Sequence, residues 1–237
     1  MEAPLFFALK PIDCSLRRKE FAMLKINPST TKETRADIAY NHLKLRMKFE
    51  LVPFYCQLLG QGFTINVQTG CSIKDLLCRQ LGIAEDYLAE RITTIFLNSK
   101  VVDDADSTVV NEGATLALSG PMPGLVGAVL RSGSYYAAMR SQISHAQDEV
   151  SSQKTSAKIT LKLLNLIVKE LGPDFLRRGI LIKAQVLHEF MERHAEVLRP
   201  GLVGGELDGQ PVELNSLHLI DWNTDMILLQ VTPDKSS

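Results

Sequence analysis

Few side chains in this 237-residue chain stand where they could do chemistry together. Cys56, Cys71 and Cys78 lie close in sequence, but tetrahedral metal sites use tight pairs such as Cys-x2-Cys, and the chain has none. Cys56 and Cys78 sit among apolar residues and read as small buried hydrophobes. Cys71 stands at the start of an expected helix, where the positive end of the helix dipole favours a thiolate, but no histidine is near it in sequence to complete a nucleophilic site. His188 and His194 flank Glu189, but their spacing of six puts them on different faces of a helix, whereas the zinc-protease pair needs a spacing of four. Asp103, Asp104 and Asp106 form an acidic turn, read as a turn cluster rather than a cation site. Neither a Gly-rich phosphate loop nor a nucleophile elbow is present. From these residues we expect no enzyme, no metal and no cofactor.

One segment is unusual for another reason. Gly120-Pro121-Met122-Pro123-Gly124-Leu125-Val126-Gly127 carries no charge and interleaves glycine and proline with apolar residues. Such a stretch is a candidate processing site at Gly120, Gly124 or Gly127, and Pro121, Met122, Pro123 and Leu125 are candidate partner contacts.

The elements around it read as follows. Phe49 and Leu51 alternate with Lys48 and Glu50, predicting a half-buried strand, and Phe54–Leu59 predicts a short helical stretch closed by Gly60. Phe63–Val67 alternates again and is expected to form a hairpin with the first strand. Ser72 with Asp75 three residues on marks a helix start; Ile73, Leu76, Leu77 and Leu81 fall on one face, and Gly82 ends the helix. Thr94–Leu97, Val101-Val102 and Thr115–Leu118 complete the strands, with turns at Asn98-Ser99 and at Asn111-Glu112-Gly113. A mixed sheet with one main helix on one face is a β-grasp.

The pattern recurs. Met47–Gly60 aligns without gaps on Ile159–Gly172 with eight apolar coincidences and a shared closing glycine. Leu97–Val102 matches Leu207–Val212, and each copy closes on an apolar run, Thr115–Leu118 and Met226–Leu229. The expected class is α+β, with two tandem ubiquitin-like β-grasp units. The expected divisions are 1–46, a poorly ordered N-terminal extension for which Met47 is an alternative start; 47–120, unit one; 121–158, a Pro/Gly and then polar linker; 159–232, unit two; and 233–237, a tail.

These residues resemble the ubiquitin-like β-grasp superfamily, in particular its sulfur-carrier branch, the small subunit of molybdopterin synthase and the thiamine-pathway carrier. The resemblance rests on Lys48–Gly60, on Leu97-Asn98-Ser99-Lys100-Val101-Val102-Asp103-Asp104 and on the Asn111-Glu112-Gly113 turn into Ala114–Leu118. In that family the chemistry sits on a terminal Gly-Gly carboxylate. Here the first unit runs on into Ser119–Ala128, the second ends Val231–Ser237, and the one Gly-Gly, Gly204-Gly205, lies inside the second unit and reads as a bulge or loose turn. The resemblance therefore implies a non-catalytic, protein-binding accessory connected with sulfur transfer or molybdenum/tungsten cofactor metabolism. The alternative is a latent sulfur carrier, cleaved after Gly124 or Gly127 to give a C-terminal thiocarboxylate.

Composition fits a binding protein without basic bias. Apolar residues make up 45% and charged residues 22%, and 26 basic against 27 acidic side chains leave no nucleic-acid footprint. Residues 1–46 hold 9 basic and 5 acidic side chains, and 47–120 hold 5 and 9, a contrast read as solvated surface. The chain has no apolar run long enough for a membrane helix, and four cysteines are too few for a disulfide scaffold. A cytoplasmic protein with an unidentified protein partner is the expectation.

Overall fold

In the computed structural model the described residues are 40–131, 135, 155–212 and 224–234, all within one compact unit, Asp37–Ser237. The class is α+β, with a large mixed sheet and several helices.

The sheet is built from β1 (Asn41–Met47), β2 (Phe63–Gln68), β4 (Thr94–Leu97), β5 (Lys100–Val102), β7 (Thr115–Ser119), β8 (Ser156–Leu164), β9 (Ile180–Lys183), β10 (Leu202–Leu207), β11 (Gln210–Pro211) and β12 (Met226–Pro233). Their order is β11-β10-β1-β12-β9-β2-β8-β7-β4-β5. Two ladders are parallel, β1 with β12 and β7 with β8, and the rest are antiparallel. A separate small ribbon pairs β3 (Cys71–Ser72) with β6 (Val109–Val110).

The two halves of the sequence interleave. β8, from the second half, lies between β2 and β7 of the first, and β1, from the first half, lies between β10 and β12 of the second. Both exchanged strands alternate strictly. Leu43, Leu45 and Met47 of β1 and Ile159, Leu161 and Leu163 of β8 are buried, while Lys44 and Arg46 between the first three face solvent and Thr160 and Lys162 between the second three are half-buried. Burying three aliphatic side chains is worth roughly 5–9 kcal/mol per strand, comparable to the whole stability of a domain. Neither half completes its part of the sheet without the strand that the other supplies.

The sheet is thus shared between the two stretches expected as consecutive units, 47–120 and 159–232. The stretch expected as an extension, 1–46, contributes to it as well. Residues 41–46 form most of β1, and a chain starting at Met47 would lack that strand; residues 1–39 lie outside the described residues. The expected strand at 48–51 is a turn with Phe49–Leu51 as one 3-10 turn, Phe49 is exposed, and Lys48 N donates to Gly201 O at 2.8 Å. β2 therefore makes no hairpin with it and pairs instead with β8 and β9. In the gapless alignment Met47 faces Ile159, yet Met47 closes β1 while Ile159 is the fourth residue of β8.

The short stretch at Phe54–Leu59 extends to α1 (Val52–Gln61), started by Pro53 in its first turn and ended by Gly62 at φ 114°, with Gly60 inside it. α4 (Leu166–Arg178) ends in the same way, at Gly179 with φ 102°. α5 (Ala184–Arg193) and the short α6 (Ala195–Leu198) follow β9. Tyr55, Leu58 and Leu59 of α1, Phe175 and Leu176 of α4, and Leu187 and Phe190 of α5 share one core with the inward side chains of the sheet. Phe63 meets Phe175 with centroids 5.3 Å apart, and Tyr55 meets Phe190 at 5.1 Å.

The helix expected after Ser72 is present, with Ser72 Oγ accepting Asp75 N at 3.1 Å. Most of it is wound as a π-helix, Asp75–Gln80, and Gly82 follows at φ 72°. The expected turn at Asn98-Ser99 is a hairpin turn of left-handed residues, with φ 50° and 67°, and the expected turn at 111–113 passes through Gly113 at φ 72°. Asp208 and Gly209, aligned with Asn98 and Ser99 in the repeat, have φ 51° and 80°. Pro211 closes the β11 edge of the sheet, where a missing N–H costs no ladder bond.

Candidate functional site

The uncharged segment starts where β7 ends. Ser119 is fully buried and its carbonyl accepts Thr93 N at 3.1 Å. Its hydroxyl donates to Gly120 O at 3.0 Å and accepts from Asn165 Nδ2 at 2.8 Å. Gly120 then passes beneath the start of α4, where a Cβ would lie 3.3 Å from Leu166 Cβ and 3.7 Å from Arg91 O. The tight approach explains a glycine here.

Beyond it, Pro121 and Pro123 are exposed and Met122 is half-buried. The chain then turns through Gly124, at φ 75°, into α3 (Gly124–Leu130). A Cβ at Gly127 would fall 1.8 Å from Met122 O, so only glycine lets the helix close back on Met122. Leu125 and Val126 are 71% and 64% exposed, and from Gly113 to Leu130 the chain carries no charged side chain. Residues 124–130, expected as part of a Pro/Gly linker, thus form a short apolar helix with two aliphatic side chains in solvent. The stretch read as a linker, 121–158, holds α3 at its start and the first residues of β8 at its end; residues 132–134 and 136–154 lie outside the described residues.

Close to Gly120, α2 (Glu85–Arg91) meets α4 through a polar trio. Tyr87 Oη donates to Glu170 Oε2 at 2.7 Å, and the Arg91 guanidinium pairs with the same carboxylate. Burial, with the Glu170 carboxylate beside it, holds the Tyr87 hydroxyl well above its ordinary range, so it remains a donor. Neither this trio nor the Asn165–Ser119 bond was legible in the sequence. Asn165 lies inside an apolar repeat block, and its only signal is that an asparagine precedes a helix.

The other candidates are accounted for by structure. Cys71 lies in β3 rather than on the helix; its thiol donates to Gln68 O at 3.2 Å and Gln80 Nε2 donates to it at 3.3 Å. Burial pushes the Cys56 thiol up to about 11, and the Cys78 thiol is raised by burial and by Glu85. His188 pairs with Glu192 at 3.5 Å, while His194 packs edge-on against Phe54 with centroids 4.8 Å apart. Asp104 accepts Asp106 N at 2.9 Å and Ser107 Oγ at 2.6 Å, and Asp106 pairs with Lys74 at 3.0 Å, as a self-satisfied turn does. Gly204 and Gly205 lie in β10 beside a bulge. The pairing with β1 steps from Arg46–Gly204 to Met47–Leu202, and the Arg46 guanidinium lies over Gly204. Among the described residues no group of three or more His, Cys, Asp or Glu could hold a metal ion, and no helix is long and apolar enough to cross a membrane.

No protein-family model, no curated protein and no solved structure matches the chain.

Proposed function

We propose that this protein is a non-catalytic binding module of the ubiquitin-like kind, which docks a protein partner through the segment Pro121–Leu130. The observation that carries this reading is α3, an uncharged seven-residue helix whose Leu125 and Val126 side chains stand in water on a root, Ser119-Gly120, that is buried and hydrogen-bonded. Exposed aliphatic side chains next to one another on a helix, bounded by polar surface, are what a partner covers. A rigid root lowers the ordering cost of docking.

The β-grasp reading draws support from half of the sheet. β2, β8, β7, β4 and β5 form a mixed five-stranded set around one parallel pair, with the π-helix packed beside β2. Its departure from a simple unit is that β8 comes from the other half of the chain. A latent carrier opened after Gly124 or Gly127 has less support. Gly127 is packed against the Met122 carbonyl and Gly124 begins a helix, whereas a protease needs an extended strand across the scissile bond.

The test is a photo-crosslinking side chain at Leu125 in the full chain, expressed in its native cells, with exposed Glu112 as the control position. The expected result is one stoichiometric crosslinked protein from position 125, lost when Val126→Asp is added. The same crosslinking profile from positions 125 and 112 removes the proposal.

A further inference from the structure

We propose that Asn165 and Ser119 form a latch by which the C-terminal half of the chain sets how the 121–130 segment is presented. The inference rests on the reading of that segment as the docking surface, but its geometry stands apart from it.

β7 and β8 run parallel and finish level with each other, Ser119 opposite Leu164. The next residue of β8's chain, Asn165, has φ 54° and ψ −127°, a left-handed conformation that glycine adopts freely and other residues rarely hold. Glycine would serve the backbone better. What asparagine adds is its amide, which donates to the buried Ser119 hydroxyl at 2.8 Å. That hydroxyl passes the bond on to Gly120 O at 3.0 Å, and Leu166 and Ile167, at the start of α4, cover Gly120 from above. The root of the segment is thus held by the residues that follow β8, the strand the second half contributes to the first. A non-glycine residue held in a glycine conformation beside one hydrogen bond to a buried hydroxyl points to a local device rather than to general packing, since Asn165 itself is exposed. When Asn165 lets go of Ser119, the cover over Gly120 loosens and α3 loses its fixed orientation.

The measurement is thermolysin cleavage of the native full chain before Leu125 or Val126, at low protease, where the rate follows the population of the open form. Cleavage before Phe49, which is 67% exposed in a turn of another part of the fold, is the internal control. Losing the hydrogen bond to the Ser119 hydroxyl is expected to raise the cut at 125–126 about five- to tenfold in both Ser119→Ala and Asn165→Gly, with the Phe49 cut unchanged. If either variant is cut at 125–126 at the parental rate, or if the Phe49 cut rises in step, the latch is wrong. No partner is present in this assay. A failed crosslink at Leu125 therefore removes the docking reading and leaves the latch standing, and parental cleavage does the reverse.

Discussion

The contact between α1 and α4 tests the interleaved architecture directly, because each helix belongs to a different half of the sequence. Gly172 of α4 faces α1 so closely that an added Cβ would lie 2.8 Å from Cys56 Sγ and 2.9 Å from Leu59 Cδ1. Gly172→Ala in a helix interior ordinarily gains about 1 kcal/mol. Two terms oppose that gain. A Cβ before Pro173 crowds the proline ring in helical geometry, and overpacking against Cys56 costs about 1–3 kcal/mol. Cys56→Ala removes the sulfur that the new methyl would strike and leaves the helix and proline terms as they were. Leu59 Cδ1 is the end of a flexible side chain and can turn aside. In a double-mutant cycle the helix and proline terms cancel, so the coupling reads the inter-helix contact alone. Urea unfolding at constant m should show Gly172→Ala milder by about 1–2 kcal/mol in the Cys56→Ala background than in the parent. Additivity within about 0.5 kcal/mol would place the two residues apart and refute the packing of the two halves described above.

Two further outcomes follow from the same structure. With a protease site inserted between Gln147 and Asp148, outside the described residues, cleavage should leave both fragments in one peak on gel filtration, since β1 and β8 each remain in the other half's sheet; two separate folded fragments would contradict the interleaving. His42, whose backbone N–H donates to Asp208 at 2.7 Å, has its imidazole pKa lowered by burial and by Lys44. The folded state then takes up a proton less readily than the unfolded chain, so His42's contribution is complete above about pH 6.5 and is lost as the pH falls through the lowered folded value. Urea midpoints between pH 7.5 and 5.5 should fall more in the parent than in His42→Asn, and parallel profiles would show that His42 carries no such linkage.

Local signals in the sequence were read well where one residue determines one conformation. Asn98-Ser99 takes the left-handed pair of a tight hairpin, Ser72 caps its helix, and Gly82 and Gly113 turn with positive φ. The alternating run at Phe63 and the apolar runs at Thr94 and Thr115 are strands. The turn at 49–51 was misread because four alternating residues before a proline fit a helix approach as well as a strand. β1 was missed because Asn41–Met47 lies after a basic, aperiodic leader and its alternation is only seven residues long. In the candidate site, the glycines and prolines of 120–127 marked the right segment, but its helical turn depends on Gly127 meeting a carbonyl five residues earlier, which no periodicity reports.

The interleaving is a different kind of gap. β1 and β8 carry the same code, apolar side chains at every second position with polar ones between, and that code says which face is buried but not which neighbours are beside it. Register and partner come from what the flanking chain permits. Gly62 and Gly179 end α1 and α4, and each helix is followed at once by a strand that lies beside a strand of the other half, β2 against β8 and β9 against β2. Once β8 is seated next to β7, Leu164 falls opposite Ser119, and the next residue, Asn165, comes within hydrogen-bond reach of the Ser119 hydroxyl. Two consecutive units would have placed those residues in separate cores. The surface at α3 and the exchange of strands are therefore linked, because the segment that would meet a partner is rooted in a contact that only the interleaved sheet can make.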